Sequence, residues 1–216
     1  MTSNDAAPET PPDGGAKGLS THGAVYGRVG GLIVNRLWKE TPSARALRAQ
    51  LRGALSREAG SVPELWDLTL GGRPGYLGDE PTRGEKAVHG ALTLWALHRG
   101  SNTRPMHDTS DRPRSFASAI RVVAEGQSGD KRAEEAPIYR RCSPPVQAPT
   151  FGGLLVHLRS LVSQLEAAEV PCDYAGLAAD LFTWQDPCRR TSVMRNWGRQ
   201  FARPTETVHP DTASDE

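Results

Sequence analysis

An all-α fold is what this chain predicts, on three observations. Apolar residues recur at offsets of three and four through most of its length, helix-start signals precede those stretches, and strand-like alternation is confined to short runs. The pattern is clearest in Thr150–Leu165, where Phe151, Leu154, Leu155, Leu158, Leu161, Val162 and Leu165 fall on one helical stripe with Arg159 beside it. That stretch reads as a central packing helix. The whole reads as a compact bundle of about eight helices, or as two small helical sub-bundles, over residues 25–203 between disordered acidic tails at 1–24 and 204–216.

With 216 residues, 37% hydrophobic and 24% charged, the chain can bury a sizeable core. No apolar run approaches the roughly 20 residues that span a bilayer, and the N-terminus lacks the basic-then-apolar order of a signal peptide. A cytoplasmic protein without membrane contact is expected. Cys142, Cys172 and Cys188 are odd in number and widely spaced, which predicts isolated reduced thiols. The net charge of +1 conceals an asymmetry: residues 1–24 carry −2, residues 204–216 carry −4, and residues 25–203 therefore carry +7. All but four of the 26 cations are arginine, whose planar fork suits phosphate.

The elements follow in order. Val25, Val29, Leu32, Ile33 and Leu37 predict a first helix to about Glu40, weakened by Gly27, Gly30 and Gly31. Thr41-Pro42 opens a second helix to about Ala59, with Leu47, Leu51 and Leu55 inward and Arg45, Arg48 and Arg52 in a neighbouring row. Such a row either meets an anion or forms a solvated flank whose stems cover apolar surface. Ser61 and Glu64 predict a capping box before Leu65, Trp66 and Leu68. The connector Gly71–Gly78 lacks the Lys-Ser/Thr element of a phosphate loop. Thr82 and Glu85 form a second capping box, before a helix so apolar, from Ala87 to Leu97, that it is buried on most sides.

Gly100–Arg112 reads as a mobile surface loop offering Arg99, Arg104 and Arg112 to an anion. Phe116, Ala119, Ile120 and Val123 predict a helix carrying Arg121, and a charged segment with Arg140 and Arg141 leads through prolines into the central helix. After Pro171, Asp173 restarts the chain with Tyr174, Leu177, Leu181 and Phe182 periodic. Asp186-Pro187 opens the last helix, where Val193, Trp197 and Phe201 oppose Arg195, Arg199 and Arg203.

No nucleophile elbow, zinc signature, dinucleotide fingerprint or facing carboxylate pair is present, and His89, His98 and His107 lack metal-ligand spacing. An enzyme is disfavoured and no cofactor is expected. Arginine rows with interleaved aromatics on a basic helical domain suit a nucleic-acid backbone.

The ordered segments ARALRAQLR, VPELWDL, EKAVHGALTLWALHRG, RSFASAIR, FGGLLVHLRSLV, DYAGLAADLFTW and VMRNWGRQFA, over roughly residues 28–202, resemble the small subunit of the type I-E CRISPR surveillance complex Cascade, the CasB family. The resemblance implies a non-catalytic all-helical subunit, paired with a second copy beside the backbone and large subunits along the guide RNA. Its basic side chains are then expected to hold the displaced non-target DNA strand and keep the R-loop open. Within the matched segments the expected contacts are Arg45, Arg48, Arg52, Arg121, Arg140, Arg141, Arg159, Arg195 and Arg199, with Arg48, Arg141 and Arg159 foremost. The prolines of IYRRCSPPVQAPT depart from the family pattern around Arg140 and Arg141. The other reading is a structural scaffold whose arginines meet acidic faces of neighbouring subunits.

Overall fold

The computed structural model describes residues 19–70, 79–129, 131–142 and 148–203. Most of both acidic stretches, the Gly71–Gly78 connector and residues 143–147 lie outside the described residues. Nine α-helices and no strand occur among the described residues: α1 His22–Leu32, α2 Pro42–Gly53, α3 Trp66–Thr69, α4 Arg83–Arg99, α5 Phe116–Ser128, α6 Pro137–Arg140, α7 Phe151–Ala167, α8 Tyr174–Trp184 and α9 Pro187–Ala202. The buried apolar side chains form one cluster that draws on every helix longer than a turn, so there is one bundle and not two.

Local chemistry explains most of the boundaries. Thr21, Thr41, Thr82, Ser115 and Thr150 each accept a hydrogen bond from a backbone N–H of the first turn that follows, which satisfies donors that a helix start leaves open. At α4 both halves of the Thr82–Glu85 capping box form. Pro42 and Pro187 occupy first-turn positions, where a missing N–H costs nothing. α1 begins at His22, inside the stretch read as tail, and Leu19 packs partly on the core. A π-helical turn, Ile33–Leu37, extends α1 and buries Ile33 and Leu37.

α4 is the axis of the bundle. Of its 17 residues 14 are buried, and it packs against α1, α2, α7 and α8. Gly90 lets α7 approach closely, since a Cβ there would stand 2.9 Å from a Leu155 methyl. The neighbouring helices complete the shell: α8 lies between α1 and α4, and α9 packs on α5 and α8.

Three local expectations need correction. α2 ends at Gly53 and not near Ala59, because Ala54 N–H closes the last turn on Gln50 and Leu51 and the chain then turns. The Ser61–Glu64 capping box does not form. The Ser61 hydroxyl instead donates back to Glu58 O at 2.7 Å, a 3₁₀ turn precedes α3, and Trp66 is half exposed. Most consequentially, Gly100–Arg112 is no free loop.

Met106 and His107 from that segment are buried, and Cys172 N–H donates to Met106 O while Asp108 N–H donates to Cys172 O. Tyr174 N–H donates to His107 Nδ1 at 3.2 Å, and His98 Nδ1 meets the Tyr174 hydroxyl at 2.8 Å. Burial pushes His98 down to about 4 and lowers His107 as well, against the carboxylates of Asp173 and Asp108. Both imidazoles are therefore neutral parts of the interior. Arg99 is equally committed: it pairs with Glu40 at 3.1 Å and lies over the Trp38 ring. Arg104 pairs at the surface with Glu169.

Candidate nucleic-acid interface

The nine arginines singled out by sequence divide into two groups. Arg48 and Arg121 are built into the fold. The buried positions of α2 are Ala44, Arg48 and Leu51, so Arg48 sits on the inward stripe and not on its flank. Its side chain is 5% exposed, and Nη1 donates to Leu37 O at 2.8 Å and Lys39 O at 2.9 Å, carbonyls left open where the π turn ends. Nη2 reaches the Glu40 carboxylate. Partial desolvation works the other way, yet the guanidinium groups of Arg48 and Arg99 hold the Glu40 carboxyl below its ordinary value.

Arg121 ties three elements together. Nε donates to Glu125 at 2.6 Å one turn along α5, Nη1 reaches Glu134 at 3.1 Å, and the group lies over the Phe201 ring of α9. The charge-assisted bond to Glu125, stronger than the opposing desolvation, raises the Arg121 pKa further.

The other seven reach the surface. Arg45, Arg140, Arg159, Arg195 and Arg199 are exposed, and their side chains make no hydrogen bond or ion pair among the described residues. Arg52 is exposed and loosely donates to Gly100 O, while Arg141 Nη1 donates to the Ser160 hydroxyl at 3.1 Å. That bond brings the end of α6 to α7, at the residue that follows Arg159.

A groove of about 480 Å³ lies between α7 and the turn that follows α2, with Lys86 and His89 of α4 also in its lining. Its rim holds Arg57 from the turn after α2, Lys86 from the first turn of α4 and Arg159 from α7. Arg57 and Lys86 are absent from the sequence-derived set. Arg57 falls beyond the true end of α2, and Lys86 sits at the head of a helix conspicuous only for its apolar residues. Arg195 and Arg199 lie elsewhere: α9 packs on α5 and α8 and has no substantial packing with α2. No residue of α9 lines the groove, so the α9 stripe is not part of its rim. Towards the start of α7, Arg190 stacks on Trp184 with its guanidinium carbon 3.9 Å from the ring centre and reaches Pro149 O.

Among the described residues no group of three or more His, Cys, Asp or Glu could hold a metal ion, and no helix is long and apolar enough to cross a membrane. All three cysteines are free. Burial pushes the thiol of Cys142 up to about 11, away from thiolate reactivity.

A family model for the CRISPR-associated protein Cse2 matches residues 47–201. The CasB crystal structure from Thermobifida fusca superposes with a TM-score of 0.65 at 26% identity, covering 84% of this chain and 97% of the other. M. ruber CasB superposes at 0.57 and 20% identity, covering 81% of this chain and 91% of the other. A chain of a CRISPR RNA-guided surveillance complex does so at 0.53 and 21%, covering 85% and 92%. At these lower identities the likeness concerns the fold. No curated protein sequence matches.

Proposed function

We propose, from the premise that the chain belongs to the CRISPR-associated Cse2 family, that it is the small subunit of an RNA-guided surveillance complex and holds the sugar-phosphate backbone of the displaced DNA strand. It acts without bond-making chemistry, beside the backbone and large subunits and paired with a second copy of itself. The observation that supports this reading is the division among the arginines. Arg45, Arg140, Arg159, Arg195 and Arg199 stand exposed with their donors uncommitted, on a helical frame whose buried arginines already have partners.

The energetic role is modest and sufficient. Exchanging a DNA duplex for an RNA–DNA hybrid is nearly balanced, so a few charge-assisted contacts to the released strand tip it towards the open state. Phosphate contacts carry no sequence information, which suits a strand whose sequence changes with every guide. Arg48 and Arg121 are not carried into this set, because a guanidinium already satisfied inside the fold has little left to offer a phosphate.

The test is R-loop formation by the assembled complex carrying Arg140→Glu and Arg159→Glu together, read by permanganate reactivity of unpaired thymines. R-loop yield falls and the salt slope of DNA binding becomes shallower by about 1.4 for two lost single-strand contacts. Full R-loop yield with the variant subunit incorporated rejects these contacts. The scaffold reading draws support from the apolar hollow of about 310 Å³ between α5, α6 and α9, lined by Ile120, Tyr139, Met194 and Trp197. Crosslinking of the assembled complex separates the two readings, since a scaffold yields protein adducts alone.

A further inference from the structure

The groove between α7 and the turn after α2 carries a feature that phosphate contacts do not explain. Its walls are apolar: Leu55 and Ala59 on one side, Phe151, Leu155 and Val156 on the other. Val156 is 67% exposed, more than any other large apolar side chain described, and it opens onto the groove and not onto the core. An aliphatic side chain so exposed on a long helix gains nothing for the isolated fold.

The rim has the opposite character. The side chains of Arg57 and Arg159 make no hydrogen bond or ion pair among the described residues. Lys86 has only a 3.7 Å contact with Glu80, whose side chain is 85% exposed, a pairing that solvent screens. Glu58 is the one acid in the lining. Three cations from three elements thus surround one apolar slot, of a volume that accepts small organic ligands. Outside the lining, Arg141 bonds to Ser160, the residue that follows Arg159.

We propose that this groove seats an unpaired nucleotide of a single-stranded nucleic acid, its base against Phe151, Leu155 and Val156 and its flanking phosphates toward Arg57, Lys86 and Arg159. This rests on the backbone-binding reading above and deepens it with a base contact and two further cations. A single strand offers a flat apolar face flanked by charges at every nucleotide, which matches one apolar patch ringed by cations. An amphipathic partner helix would need a row of anchors spaced along a longer trough. Contact with the face of a base is tolerant of sequence, so the groove adds affinity without readout.

The experiment uses the full chain, with fluorescence anisotropy of a single-stranded 12-mer and of an abasic oligonucleotide of equal length and charge. Wild type binds the base-bearing strand about fivefold tighter, the scale set by covering the exposed part of one valine. Val156→Ser removes that difference, leaves abasic binding unchanged and leaves the melting curve unchanged because the side chain is exposed. Arg57→Gln and Arg159→Gln weaken both ligands.

Equal binding of the two strands by wild type, with loss in Arg159→Gln, overturns the groove and leaves the phosphate contacts standing. Binding of neither strand, or indifference to Arg159→Gln, overturns both. Tight binding of an acidic amphipathic peptide that Val156→Ser abolishes, with strand binding unaffected, assigns the groove to a protein partner and also overturns the proposal.

Discussion

Replacing Arg48 with methionine keeps an unbranched stem between α2 and the π turn Ile33–Leu37 and removes the guanidinium. Two carbonyls, Leu37 O and Lys39 O, lose their donor, and Glu40 loses one of its two arginine partners. Hydrogen bonds from a charged donor contribute about 1.5–3 kcal/mol each, and the desolvation cost of the buried guanidinium is regained when it goes. The Glu40 contact adds little, since that side chain is 63% exposed and the pair is screened. A loss of about 3 kcal/mol follows, which for a chain of this size lowers the melting temperature by about 9 °C. The assay is thermal and urea unfolding followed by far-UV circular dichroism, alongside single-strand binding at fixed salt. Arg48→Met loses stability and retains strand affinity, whereas Arg159→Gln does the reverse. Unchanged stability with a loss of strand affinity in Arg48→Met would refute the reasoning, because it would place the guanidinium outside the fold.

Two further outcomes concern the interior. His98 is buried neutral with its pKa pushed down to about 4 from 6.5, so the unfolded chain takes up the proton first as pH falls; about 3 kcal/mol of stability present above pH 6.5 is lost between pH 6.5 and 4. Urea midpoints measured across that range check it, and a flat profile would count against a buried neutral His98. Gly84→Ala places a methyl group on the Leu19 carbonyl, a backbone atom that cannot step aside alone. Such overpacking costs about 1–3 kcal/mol, and limited proteolysis should cut first between Leu19 and Thr21; an unaltered pattern contradicts that contact.

The amphipathic elements were legible because their signals are local. In α9 the Asp186-Pro187 start, the buried Val193, Trp197 and Phe201 and the exposed Arg195 and Arg199 all follow from spacing along one helix. The role of Arg48 was not read, although Ala44, Arg48 and Leu51 share one stripe. A buried arginine looks like a solvated one until its acceptors are known, and two of those are main-chain carbonyls with no sequence signature. The loop after α4 was misjudged for a similar reason. Its composition is polar, but Met106 and His107 find partners around Cys172 and Tyr174, some 65 residues away in the chain. The groove needed three elements at once, so neither Arg57 nor Lys86 stood out before the fold brought them to Arg159.

The packing of α1 has a consequence for how the chain is made. α1 is rich in glycine, forms poorly by itself, and lies chiefly against α8, with Val25, Val29 and Leu32 turned inward. Leu32 leaves the ribosome long before Trp184, and at ordinary elongation rates the wait is roughly 10 to 30 s. Throughout that interval the first helix can set its apolar face only against α4, the lesser of its two main partners. Completion of the bundle is therefore a late event in synthesis, and any pause ahead of α8 lengthens the time in which the nascent N-terminus is open to proteases and to association with other chains.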